Sequence, residues 1–176
     1  MAQSELRTLV VLVENHTGVL NRVMSLFRQR NFNIESVAVG YTETPGISRM
    51  TFVLAGDDRT IEQVTKQLYK LLEVIKVTDV THETTIQREL ALVKVAATDR
   101  TRTDIMRIAS DIFRARVVDA APDTLTIEIT GPSDKIDSFL AMIRSYGIKE
   151  VARSGAVAMQ RGSSSAGLTV VRQSAA

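Results

Sequence analysis

The segment Glu14-Asn15-His16-Thr17-Gly18-Val19-Leu20 has the residue types and spacing to bind a small anion. It lies between a short β-branched run and a stretch with helical spacing, so the loop ends where a helix starts. Gly18 has no Cβ, which lets the backbone bend sharply and another group approach closely. The N–H groups of Gly18, Val19 and Leu20 fall at the helix N-terminus, where unpaired donors and the helix dipole attract a carboxylate. Asn15 adds a neutral amide that both donates and accepts. The same residues also suit a tight strand-to-helix turn with no ligand, and the loop by itself does not choose. Asn33, beyond the helix and before the next strand, has the same two readings: an amide facing an amino-acid ligand, or a turn residue.

Other chemistry finds few candidates. The chain has no Cys, so disulfides, thiolate metal sites and a Cys nucleophile are excluded. His16 and His82 are the only histidines, and no H-x-x-x-H or H-E-x-x-H spacing occurs, so a zinc site is not expected. There is no nucleophile elbow and no glycine-rich phosphate loop. Asp57-Asp58 and Asp134/Asp137 read as solvated turn and helix-start residues. No catalytic residue and no metal ligand is assigned.

The elements that must position the loop follow from periodicity. Leu9 to Val13 is a buried strand, and Val19, Leu20, Val23, Met24 and Phe27 share one helical face. Asn31-Phe32-Asn33 breaks that helix. Val37, Val39 and Tyr41 alternate, as do Met50, Phe52 and Leu54, and Thr44-Pro45-Gly46 turns between them. Thr60-Ile61-Glu62-Gln63 fits a capping box for a second helix. Val74 to Val80 is the last strand of the unit.

A second, less regular pass follows: a strand over Leu90 to Val95, a helix marked by Ile105, Ile108, Ile112 and Phe113, and strands at Val117-Val118 and Leu125 to Ile129. A helix capped by Ser133 and a closing strand from Ile148 to Met159 complete it. Each pass is βαββαβ, the ferredoxin-like order, so the expected class is α+β with two such units. The domain boundaries are placed at 1–82 and 83–160, with a mobile tail over 161–176 apart from a short Leu168-Thr169-Val170-Val171 stretch able to dock. In each unit the helices cover one sheet face. The other face must bury against something, within the chain or in a second copy, and a homodimer is expected.

Composition supports a soluble protein: 44% hydrophobic, 24% charged and no Trp. No apolar run approaches a membrane span, and Met1 to Glu5 lacks the start of a signal peptide. A cytoplasmic location without membrane contact is expected. The net charge is only +2, and Arg100, Arg102 and Arg107 are interleaved with Asp99 and Asp104. Nucleic acid is therefore not an expected partner. A ferredoxin-like RNA binder would also want stacking aromatics on its central strands, and here Phe52 and Tyr41 stand alone.

Several stretches together resemble the small regulatory subunit of acetohydroxyacid synthase (acetolactate synthase). They are Asn15 to Leu20, Asn33-Ile34-Glu35-Ser36, Ser48-Arg49-Met50-Thr51, Gln67 to Leu71, Arg88 to Val95, Ala152-Arg153-Ser154-Gly155 and Arg161-Gly162. The resemblance spans roughly residues 6–162, and it departs from the common pattern at Thr17, where Pro is frequent. It implies that the first unit is an ACT domain and that this chain holds no cofactor. It implies a large catalytic subunit as partner, carrying thiamine diphosphate, a divalent metal and FAD. It implies activation of that subunit and feedback inhibition by valine, bound between two ACT domains of a homodimer. Asn15, Gly18, Val19 and Leu20 would come from one chain, Asn33 and Ile34 from the other. A stand-alone tandem-ACT sensor acting on another enzyme is the alternative.

Overall fold

The structure, a computed structural model, describes residues 5–162. The first unit runs β1 (Leu6–Glu14), α1 (Val19–Gln29), β2 (Ile34–Tyr41), β3 (Ile47–Ala55), α2 (Asp58–Leu68) and β4 (Val74–Asp79). Its four antiparallel strands lie in the order β2-β3-β1-β4. The second unit runs β5 (Thr85–Ala96), α3 (Arg102–Arg107), β6 (Arg116–Ala120), β7 (Thr124–Gly131), α4 (Ser133–Ile143), β8 (Ile148–Arg153) and β9 (Val157–Gln160). Its order β6-β7-β5-β8 repeats the first. The class is therefore α+β with two ferredoxin-like units, as the alternation in sequence predicts. No helix is long and apolar enough to cross a membrane among the described residues.

Period-two burial builds each core. Leu9, Val11 and Val13 of β1 meet Met50, Phe52 and Leu54 of β3 beneath Val19, Val23, Phe27, Ile61, Val64 and Leu68. The rings of Phe27 and Phe52 stack at 4.8 Å. In the second unit Ala91, Val93 and Val95 occupy the matching positions under Ile105, Ala109, Ile136, Phe139 and Ile143. There Phe113 meets Phe139 edge-on at 5.2 Å.

Several local features differ from the sequence reading. Helix α2 is capped by Asp57, whose carboxylate accepts from the Thr60 N–H at 2.8 Å and the Thr60 hydroxyl at 2.6 Å. Thr60 therefore lies inside the helix, because a carboxylate is the stronger acceptor for the open donors. These hydrogen bonds hold the Asp57 carboxyl below its usual pKa. After α3, Ile108–Ile112 forms a π-helical turn. The wider turn rotates the next side chains, so Ala109 and Phe113 face the core while Ile112 is 60% exposed. Ser133 is the first residue of α4, with Pro132 at the cap position, and its hydroxyl donates to Glu89 instead of the helix.

The expected closing strand splits in two. β8 pairs with Ala91–Val95 and β9 with Thr85–Arg88, both along β5, and Ser154-Gly155-Ala156 forms the corner between them. This corner brings β9 onto the outer face of the first sheet. Val10 and Val80 pack with Ala158 there, and the Arg49 Nη2 donates to the Ala158 carbonyl at 2.6 Å. Burial pulls the Arg49 guanidinium pKa down, against a smaller opposing pull from Glu43. The outer face of the first sheet is thus covered within the chain. Arg161, placed at the start of the expected tail, donates its N–H to the Thr84 carbonyl at 2.8 Å. Residues 163–176, including Leu168 to Val171, lie outside the described residues.

Candidate functional site

The loop between β1 and α1 takes its shape from Gly18. Its φ of 89° lies in the left-handed region, which an L side chain enters only with strain. The Gly18 carbonyl accepts the Arg22 N–H at 3.0 Å and opens the helix. Asn15 is fixed through its backbone, its N–H donating to Gly46 at 2.8 Å. No side chain caps α1. The N–H groups of Gly18, Leu20 and Asn21 have no partner among the described residues, which leaves three donors open at the start of α1, Gly18 and Leu20 among them. Val19 differs from the sequence expectation. Its N–H already points to the His16 carbonyl at a long 3.4 Å, and its side chain is a core residue at 3% exposure. Leu20 is half-exposed beside it.

Arg22 and His16 border the loop. The Arg22 guanidinium folds back over Gly18, and a Cβ built there would meet Nη1 at 3.4 Å. Arg22 pairs with Glu73 at 2.7 Å. His16 turns to Glu14, with Nε2 3.1 Å from the carboxylate. Arg22 was not singled out in the sequence. The i, i+4 spacing of Gly18 and Arg22 is the signal that marks it.

Asn33 and Ile34 stand elsewhere. The left-handed residue that ends α1 is Asn31, with φ 55°, so the turn does not need Asn33. The Asn33 amide donates to Glu35 at 2.6 Å on the surface. Asn33 follows the C-terminal end of α1, whereas Gly18 caps its N-terminal end. Eleven residues of helix separate them, about 16 Å at 1.5 Å per residue. One chain therefore does not bring the two candidate groups into one pocket. β2 is an edge strand, running from Asn33 back towards the Gly18 end of the sheet.

A cavity of about 770 Å³ lies between the two units, and it includes neither Gly18 nor Asn33. Its walls include Glu35, Ser36 and Val37 of β2 and Glu89, Arg153 and Gly155 of the second unit. Glu89 is buried, with the Arg153 Nε and Nη2 donating to its two oxygens at 2.7 Å each and Ser133 donating at 2.9 Å. Arg153 also donates to Asp137 at 2.7 Å. The Arg153 pairing outweighs burial and holds the Glu89 carboxyl below the usual range; the same bonds raise the Arg153 pKa. The sequence carries a signal for this cluster, since Glu89 is in phase with the core positions Ala91, Val93 and Val95. Among the described residues no group of three or more His, Cys, Asp or Glu side chains could hold a metal.

A ferredoxin-like unit with a glycine-turned loop opening donors at the first helix is the arrangement of ACT domains, and the comparisons with known proteins agree. Residues 9–76 match the model of the AHAS small subunit-like ACT domain, and residues 88–162 match that of the small subunit of acetolactate synthase. The chain is 55% identical over 153 residues to a probable acetolactate synthase small subunit of Methanothermobacter thermautotrophicus, covering 86% of this chain and 90% of the relative. It is 48% identical over 157 residues to the acetolactate synthase small subunit of Bacillus subtilis, covering 89% and 91%. The crystal structure of the small subunit from Thermotoga maritima superposes with a TM-score of 0.83 at 40% identity, covering 90% of this chain and 98% of that one. The chain belongs to the family of acetolactate synthase small subunits.

Proposed function

We propose that this chain is the regulatory subunit of an acetolactate synthase in branched-chain amino-acid synthesis. It raises the activity of a large catalytic subunit and makes it sensitive to valine. Thiamine diphosphate, a divalent metal and FAD belong to that partner in this reading, and no catalytic step is assigned to this chain. The expected compartment is the cytoplasm.

The single observation that carries the effector site is the positive-φ Gly18 loop with open donors at the start of α1. The valine carboxylate would lie against the N–H groups of Gly18 and Leu20 near the Asn15 amide, and its side chain beside Leu20. Asn33 and Ile34 are at the far end of α1, so they complete the site from a second copy. Antiparallel pairing of two β2 edges about a two-fold axis sets the Asn33 end of one chain beside the Gly18 end of the other. Exposed Val39 and Tyr41 lie along that edge. The proposal is therefore a homodimer with one site per half.

Valine inhibits only to the extent that it binds one state of the complex better than another, a coupling of about 1–3 kcal/mol in typical cases. The test is acetolactate formation by the large subunit with and without this chain, at rising valine, with calorimetry on this chain alone. Activation, valine inhibition and valine binding together support the reading. Failure to activate any acetolactate synthase large subunit from the same source removes it.

A further inference from the structure

Gly155 sits where the irregularities of the two sheets face each other. Its φ is 77°, and a Cβ built on it would lie 3.0 Å from the Val37 carbonyl oxygen and 3.3 Å from the carbonyl carbon. Real Cβ atoms seldom approach backbone that closely, so only glycine lets the corner seat directly on β2. The corner is held from its own side by the Glu89–Arg153–Asp137 cluster and by the Leu90 N–H donating to the Ser154 Oγ at 3.1 Å. From the other side, the β2–β3 pairing shifts register between Ile34 and Ser36, immediately before Val37. Ser36 Oγ is buried there without a hydrogen-bond partner among the described residues. A bulge with an unspent hydroxyl is the part of a strand with a second arrangement available to it. The same strand begins at Ile34, next to Asn33.

We propose that Gly155 is a positioning residue: its seat on Val37 couples the bulged start of β2 to the C-terminal unit, so that effector occupancy at Asn33 and Ile34 is felt there. The inference rests on the effector reading above. Ligand contacts that order the start of β2 shift the carbonyl on which the corner rests. The buried Glu89–Arg153 cluster ties that corner to β5 and α4, so it moves as a body.

The test uses full-length protein with its large subunit and compares Gly155→Ala with Gly162→Ala. Gly162 has a similar φ of 83° but nothing among the described residues within 4 Å of its added Cβ, so it reproduces the strain without the contact. Valine is titrated by calorimetry on the small subunit alone and by inhibition of the reconstituted complex. In Gly155→Ala, valine binding stays within threefold and activation within twofold, while residual activity at saturating valine rises at least fivefold. Gly162→Ala matches the parent in all three. Unchanged inhibition in Gly155→Ala overturns the proposal. So does a parallel fall in binding and activation, which marks a purely structural corner. Hydrogen exchange on the unaltered protein decides the matter if Gly155→Ala does not fold. Valine slows exchange in residues 34–39 and also in 153–158, and slowing confined to 34–39 overturns the coupling. Absence of valine binding to the unaltered chain would instead remove the effector reading, and this inference with it.

Discussion

After its first strand the N-terminal unit leaves the donors of its turn open, and after its first strand the C-terminal unit engages those at the turn through threonine. The β1–α1 loop turns on Gly18 and leaves the Gly18 and Leu20 N–H groups unpaired. In the β5–α3 loop the Thr98 N–H donates to the Thr101 Oγ1 at 3.0 Å, and the Thr101 and Arg102 N–H groups return to the Thr98 carbonyl. The same topology thus has one loop whose turn leaves its own donors open and one whose threonines engage the Thr98, Thr101 and Arg102 N–H groups, with only Thr103 and Asp104 left open inside the first turn of α3. A second pair of equivalent positions differs in sign. Arg7 stands two residues before Leu9 in β1, and Glu89 two residues before Ala91 in β5; both are buried. Arg7 reaches Asp58, the first residue of α2, while Glu89 takes its bond from Ser133, the first residue of α4. Repetition of a fold fixes where a strand-start charge goes but not which charge it is.

The loop contrast is broken most sharply by Gly18→Asp. An Asp side chain there would enter the space facing Arg22 Nη1 and present its own carboxylate where the ligand's is proposed. Like charges in a confined site oppose each other, so valine binding should fall at least about 100-fold. The positive φ adds a cost of about 1–2 kcal/mol to folding, since a Cβ is now carried in the left-handed region. The variant should still fold, dimerise and activate its large subunit. Asn33→Ala, which deletes one neutral hydrogen-bonding group, should weaken valine by only about 3–10-fold, or about 0.5–1.5 kcal/mol. Valine-inhibition curves of the reconstituted complexes read both. Unchanged inhibition in Gly18→Asp places the effector elsewhere.

The buried-charge contrast makes a prediction of unequal costs. Arg153→Met leaves Glu89 buried at 5% exposure with only the neutral donors of Ser133 and the Gly155 backbone to compensate its charge. The expected loss is about 2–3 kcal/mol, below the full value for a buried pair because Arg153 is itself one-third exposed. Arg7→Met should cost less, about 1 kcal/mol or under, because Glu5 and Asp58 are exposed and can be hydrated once the guanidinium is gone. Denaturant unfolding of the two variants against the parent settles the order. An equal or larger loss for Arg7→Met would show that the partners' exposure does not decide the cost.

Acid probes the Glu89 site. The folded-state pKa of Glu89 is depressed, chiefly by Arg153. Its contribution is therefore fully present above the usual Glu value near 4.5 and is lost as pH falls through the depressed one. The parent should lose stability below about pH 4.5 more steeply than Glu89→Gln, measured by urea unfolding across the range. Parallel curves would mean that Glu89 is not held ionised in the folded state.

The fold was legible because the period-two and helical patterns of both cores are strong, and Leu9-Val11-Val13 and Ala91-Val93-Val95 repeat each other. What escaped the sequence depends on partners distant in the chain. A hydroxyl at 60 or 133 looks like a helix cap until a carboxylate at 57 or 89 competes for it. Ile112 has helical spacing, but the π-turn before it changes the phase. The split between β8 and β9 is set by Gly155 meeting Val37, a contact no local pattern records. Of the candidate site, Gly18 and Leu20 were readable as donors and Arg22 had its signal in the i, i+4 spacing, while the bond from the Val19 N–H to the His16 carbonyl depends on the path of the turn, which no spacing records.

The smallest effect, at Leu92, belongs to a contrast between the outer sheet faces. Val10 of β1 and Leu92 of β5 occupy equivalent outward positions. Val10 is 3% exposed because the β9 ribbon covers it, whereas Leu92 is 39% exposed. Val10→Thr keeps shape and strand propensity but puts a hydroxyl among Val80 and Ala158, which offer no side-chain partner. The expected cost is about 1–3 kcal/mol. Leu92→Thr removes partly solvated apolar surface and introduces a β-branched residue, which suits a strand, beside the Lys94–Glu150 pair. Its expected cost is within about 0.5 kcal/mol, the range of ordinary surface changes. The pair is measured by thermal unfolding at two protein concentrations. If Leu92→Thr costs as much as Val10→Thr, and the loss grows with protein concentration, the second sheet is covered in solution by another copy. A small, concentration-independent loss leaves that face bare on the isolated subunit, and the contrast between the two units stands.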